Sequence, residues 1–228
     1  MFPESVLDIK FQGKKAYILN QVNLTSKMVE EQLDNMSYSG EGKTKSKDVE
    51  NTKLPPFIYS FYFLVFNSKR IPSEKEFLNH YFGVGFKLEN GKYYNLQSPD
   101  SKPINIEAVK GRALRTYPSL IRDYHFFLMC TESKLFDKVT YSIRQDYKNG
   151  VDLIITQNEV EYSISLKLAS KRSNVYKSLK YNRHDYSDKK EIVLDLDREK
   201  DAQLASNFYL FKKSTLNLLL KKIETYER

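Results

Sequence analysis

Hydrophobic and polar positions alternate most clearly around residues 150 to 168. Val151 to Thr156 is an apolar run rich in β-branched residues. Gln157, Asn158 and Glu159 form a polar turn. Val160, Tyr162, Ile164, Leu166 and Leu168 then alternate with Glu161, Ser163, Ser165 and Lys167. Period two predicts a hairpin of two strands, with Ser165 and Lys167 on one face of the second. In an antiparallel hairpin Asp152, at the start of the first strand, comes close to the end of the second.

The flanking pattern extends this reading. Pro118 to Glu132 carries a broad apolar face and predicts a helix. Phe136 to Asp146 alternates through Val139, Tyr141 and Ile143 and predicts a strand. Lys171 to Arg183 is a basic helix candidate, Glu191 to Leu196 a strand and Ser214 to Tyr226 an amphipathic closing helix, with Phe208 to Phe211 as an edge strand.

Upstream, Val6 to Phe11 and Ala16 to Leu19 read as a strand pair. Thr25 caps a short helix through Leu33, with Met28, Val29 and Leu33 on its inner side. Residues 34 to 54 are polar and glycine-containing, and predict an exposed loop or a basic arm. Pro55-Pro56 opens an aromatic helix from Phe57 to Phe66 whose residues lie all around it, the pattern of a core element. Ser73 and Glu76 make a capping box for a second helix ending before Gly83 and Gly85. That pair of helices is a helix-turn-helix candidate. Asn90-Gly91 predicts a hairpin, and Ser98 to Ser101 a loop. The boundary between an N-terminal mixed α+β module (1–110) and a C-terminal domain (111–228) falls near residues 100 to 112.

Composition narrows the chemistry. The chain has 228 residues, 40% hydrophobic and 29% charged, and a net charge of +8, which favours a polyanionic partner. No apolar run reaches the roughly 18 residues of a membrane span, and Met1 to Glu4 lack a signal-peptide pattern, so a cytoplasmic protein is expected. With one cysteine, Cys130, and three histidines, disulfides, cysteine zinc sites and histidine-rich metal sites are not expected. No Gly-x-Ser-x-Gly elbow, P-loop or dinucleotide fingerprint occurs.

Asp152 followed by Ser165-Leu166-Lys167, in the order helix, strand, strand, strand, helix, strand, resembles the core of the PD-(D/E)xK nuclease superfamily over about half the chain. The resemblance implies an α+β or α/β fold with a restriction-endonuclease-like αβββαβ core. It also implies a metal-dependent endonuclease cutting DNA in restriction, defence or mobile-element biology. By that analogy Asp152 and the Leu166 carbonyl bind Mg2+ or Mn2+, and Lys167 orients or deprotonates the attacking water. Ser165 stands where the family has its second acid and offers only a hydroxyl, which lowers metal affinity. Glu132, at the end of the first helix of this core, is the compensating carboxylate. Glu161 lies four residues from Ser165, roughly 13 Å along the strand. Ser170, Lys171 and Arg172 open a helix whose N-terminus would hold a phosphate, and Lys171, Arg172, Lys177, Lys180 and Arg183 are the expected DNA contacts. Ser170 is equally an ordinary N-cap. His184-Asp185 is a further base-and-acid candidate. The alternative is a nuclease-fold subunit with a weakened site that binds DNA or assembles with a protein partner or a second copy.

Overall fold

A computed structural model describes residues 24–40, 42–96, 102–169 and 190–226. The strand pair at 6–19, the loop at 98–101 and the basic helix at 171–183 lie outside the described residues.

Helix α1 (Ser26–Asp34) begins where Thr25 Oγ1 accepts the Met28 N–H at 3.1 Å. It buries Val29 and Leu33, whereas Met28 is 41% exposed and so lies off the inner side. The polar stretch that follows is not a free excursion. It contains helix α2 (Lys47–Asn51), with Val49 buried. The guanidinium of Arg115 donates to Gly42 O (2.8 Å) and Thr44 O (3.1 Å) and pairs with Glu50, while Arg112 donates to Val49 O and Thr52 O. The backbones meet so closely that a Cβ on Gly111 would lie 2.4 Å from Thr44 O. Two arginines and a missing side chain thus hold a polar segment on a helix that follows it in the chain. Lys43, Lys45 and Lys47 remain exposed.

Helix α3 (Phe57–Ser68) ends at Lys69 in the left-handed region (φ 53°), and buries Ile58, Phe61, Tyr62 and Val65. The expected core role of its aromatics is met: Phe61, Tyr62, Tyr117 and Tyr124 pack edge to face at 5.2 to 6.5 Å. Helix α4 (Glu74–Gly85) starts from the Ser73–Glu76 capping box and runs three residues past Phe82 before strand β1 takes over. Strands β1 (Phe86–Glu89) and β2 (Lys92–Asn95) form the Asn90-Gly91 hairpin; both turn residues have positive φ.

Helix α5 runs from Ile106 to Ser133, with Asn105 capping the Ala108 N–H at 3.1 Å. It starts twelve residues before the expected Pro118 and passes straight through positions 110 and 111. Pro118 sits inside it. Proline cannot donate to the carbonyl four residues earlier, that of Leu114. The Tyr38 hydroxyl donates to that carbonyl instead, at 3.0 Å. One stretch of α5 (Tyr117, Ile121, Tyr124) joins the aromatic core of α1, α3 and α4, and the next (Phe126, Met129, Cys130) joins the core under the sheet.

The expected strand Phe136–Asp146 splits in two. Only β3 (Lys138–Thr140) is extended. Ser142 Oγ then accepts the Gln145 N–H and starts helix α6 (Ile143–Asn149). The alternation of Val139, Tyr141 and Ile143 reports burial on two elements rather than one: Tyr141 is buried with its hydroxyl donating to Asp146 of α6 at 2.7 Å. Gly150 (φ 65°) closes α6, returning its N–H to Asp146 O. Strands β4 (Leu153–Gln157) and β5 (Val160–Ala169) follow, joined by Asn158 and Glu159 at positive φ, then β6 (Glu191–Asp197). The sheet order is β3-β4-β5-β6; the first two pairs are antiparallel and β5-β6 is parallel. Its lower face, including Leu153, Ile155, Tyr162, Ile164 and Leu194, packs on α5 and on helix α7 (Ser214–Tyr226) through Leu216, Leu219 and Ile223. Phe208–Phe211 does not extend this sheet. As β8 it pairs with β7 (Ala202–Ala205) in a separate hairpin against α5. The chain is of mixed α+β class.

Candidate active site

The α6 terminus sets the first residue of the site. Gly150 turns the chain, Val151 buries its side chain, and Asp152 enters the sheet with its N–H on Ile164 O at 2.9 Å. Leu153, opposite Ile164, is the first paired residue of β4, and Asp152 stands just before it. The Asp152 carboxylate accepts the Leu166 N–H at 2.5 Å through Oδ2. An ionised acceptor on a backbone amide makes one of the stronger hydrogen bonds available, and it fixes the carboxylate beside β5.

On β5, Ser163, Ser165 and Lys167 share the face opposite the apolar core, as alternation predicts. Ser165 is nonetheless only 4% exposed, and Lys167 is half-buried. Across the parallel pair, Ser163 faces Glu191, Ser165 faces Val193 and Lys167 faces Asp195. In-register neighbours share a face, so Ser165, Lys167 and Glu191 occupy one side of two adjacent strands, with Asp152 entering beside them just before β4. Ser165 Oγ lies 2.7 Å from Glu191 Oε1 and 3.2 Å from Gly150 O. A hydroxyl has one proton, and the shorter, charge-assisted contact takes it.

The structure therefore brings together Asp152, Ser165, Leu166 and Lys167. It puts Glu132 elsewhere: that carboxylate accepts the Ser26 N–H (2.7 Å) and Ser26 Oγ–H (2.6 Å) at the opening of α1. Its helix packs on the apolar face of the sheet, away from Ser165. Lys171, Arg172, Lys177, Lys180 and Arg183, with Ser170 and His184-Asp185, lie outside the described residues. The residue the sequence did not single out is Glu191, which read only as the start of a strand. The partner that gives it meaning lies 26 residues earlier, across a parallel pair whose register has no local signature.

Other reactive groups serve the core. Burial pushes the Cys130 thiol well above its ordinary range, so it is no thiolate nucleophile. His125 is buried on α5, with Nε2 3.0 Å from Glu30 Oε1; burial lowers its pKa, against the opposing pull of Glu30. His80 stacks on Phe63 at 4.3 Å. Among the described residues, no three His, Cys, Asp or Glu side chains form a group that could hold a metal ion, and no helix is long and apolar enough to cross a membrane.

No family model, curated protein or solved structure matches the chain.

Proposed function

We propose that this protein is a metal-dependent phosphodiester hydrolase acting on DNA, with residues 106–197 as a restriction-endonuclease-like core. The observation that carries the reading is the Asp152 carboxylate, held on the Leu166 amide one residue before Lys167. The succession of long helix and four sheet strands in the order β3-β4-β5-β6 supports it, and helix α6 between β3 and β4 departs from the family's order.

The donors around Asp152 are oxygens, a carboxylate and the Leu166 carbonyl, which suit a hard cation such as Mg2+ or Mn2+. A bound ion of this kind activates water and offsets phosphate charge. Asp152 would hold it, and Lys167 would orient the attacking water or move its proton. The net charge of +8 favours a phosphate polymer as substrate.

The test is cleavage of plasmid and single-stranded DNA with Mg2+, Mn2+ or EDTA, beside Asp152→Ala and Lys167→Ala. The expected result is metal-dependent cutting that both substitutions abolish while thermal melts stay unchanged. Cutting that survives either substitution would remove the site. The buried hydroxyl of Ser165 favours a second reading, a nuclease fold retained for binding. Salt-sensitive DNA binding without cutting would select it.

A further inference from the structure

We infer that Glu191, reaching from β6, supplies the second carboxylate that residue 165 lacks; the inference rests on the metal-dependent reading above. The geometry is specific. Glu191 pairs with Ser163, not with Ser165, so its side chain must reach along the strand by one pair of residues, roughly 6.6 Å. It does so, and Oε1 ends 2.7 Å from Ser165 Oγ. An aspartate at 191, one methylene shorter, would fall short. On the other side of β5, the Asp152 carboxylate is held on the amide of the next residue, Leu166. Adjacent positions of β5 thus hold two carboxylates, Glu191 on the Ser165 hydroxyl and Asp152 on the Leu166 N–H. The single proton of that hydroxyl is committed to Glu191, which holds that carboxylate at the place where an acid at 165 would carry its own charge.

This arrangement also accounts for the serine. A carboxylate at 165, nearly buried against Glu191 and one residue from the amide that holds Asp152, would add a third negative charge to the two already there, which raises the cost of ionising each. A hydroxyl keeps the total at two and donates to one of them. Position 165 and position 191 are then a linked pair, in which the acid stands on one strand or the other. The donor set becomes Asp152, Glu191 and the Leu166 carbonyl, all oxygen, as a magnesium-like ion requires.

Binding of Mn2+ to the full chain, followed by calorimetry and by the electron paramagnetic resonance of the ion, tests this without relying on cleavage. Glu191→Gln and Glu191→Asp are each expected to weaken Mn2+ binding by about tenfold or more. The double substitution Ser165→Asp with Glu191→Gln moves the acid back to β5 and is expected to restore binding. It also keeps the test decisive should Glu191→Gln alone fail to fold. Wild-type affinity in Glu191→Gln, with binding lost in Asp152→Asn, would overturn the assignment of Glu191 and leave the metal site standing. Absence of Mn2+ binding in the unaltered protein would remove both.

Discussion

Single residues in this chain draw their importance from what they hold. Glu76 is an example away from the site. It accepts the Ser73 N–H at 2.8 Å and pairs with the Arg70 guanidinium, and the Arg70 hydrogen bond above all, then those of Ser73, lowers its pKa to about 2. Its unfolded value is near 4.5, so the stability it contributes is complete above that pH. It is lost as the pH falls from about 4.5 toward 2. Both side chains are more than a third exposed, and solvent screening limits the pair to about 1 kcal/mol or less. Unfolding midpoints measured from pH 6 to pH 2 should show Glu76→Gln less stable than wild type at pH 6, with the gap closing by pH 2. A gap that persists at pH 2 would show that charge is not the cause. At this scale the sequence was most readable: Thr25, Ser73 and the Asn90-Gly91 turn all act as their residue types predict. The shared face of Ser165 and Lys167 was also legible from alternation, and the approach of Asp152 to the end of β5 from the antiparallel hairpin. Glu191 was not, because its meaning lies on another strand.

Elements show where local rules yield to distant partners. Pro118 reads as a helix start, yet α5 continues through it because Tyr38 satisfies the Leu114 carbonyl that proline leaves bare. Tyr38 also packs its ring 5.0 Å from Phe208 and 6.1 Å from Tyr117. Removing only the hydroxyl, as Tyr38→Phe, should cost about 1 kcal/mol in urea unfolding. In a Pro118→Ala background the restored backbone N–H takes the carbonyl, and the cost should shrink. An equal cost in both backgrounds would dissociate the hydroxyl from the proline. The same principle explains other departures. Helix α2 lies in a stretch too polar to predict it, and is held by Arg112 and Arg115. Helix α6 hides inside an alternating pattern because Val139, Tyr141 and Ile143 all pack on the aromatic core although only Ile143 belongs to the helix. Strand β7 lacks β-branched residues and exposes Leu204, so nothing in its composition marks it.

For the whole molecule, α5 is the shared beam. Tyr117, Tyr124 and Phe127 complete the aromatic core of the N-terminal helices, and Phe126, Met129 and Cys130 complete the floor of the sheet. A cut between residues 110 and 111 passes inside that helix and strips its aromatic side bare. The full chain should therefore unfold in one transition by far-ultraviolet circular dichroism and tyrosine fluorescence. The 111–228 fragment should show no cooperative transition of its own. A fragment that melts cooperatively with native-like ellipticity would establish the two parts as independent. The shift in sequence character near residue 100 accompanies a change in the kind of element, from helices and a hairpin to a long helix and a sheet.

The mixed direction of the sheet has a consequence in time. Asp152 meets Leu166 across 14 residues of chain, through a tight turn, whereas Ser165 meets Glu191 across 26, through a parallel pairing that no short turn can make. Contacts of low sequence separation close early and parallel pairings late. The hairpin bearing Asp152 and Lys167 is therefore expected to assemble before β6 docks, and a ribosome-bound chain that has emerged only as far as β5 would carry half of the proposed site. On the proposed reading, with Glu191 as the second carboxylate, this face would act only once the last strand of the sheet is in place, and a partly made molecule would be inert.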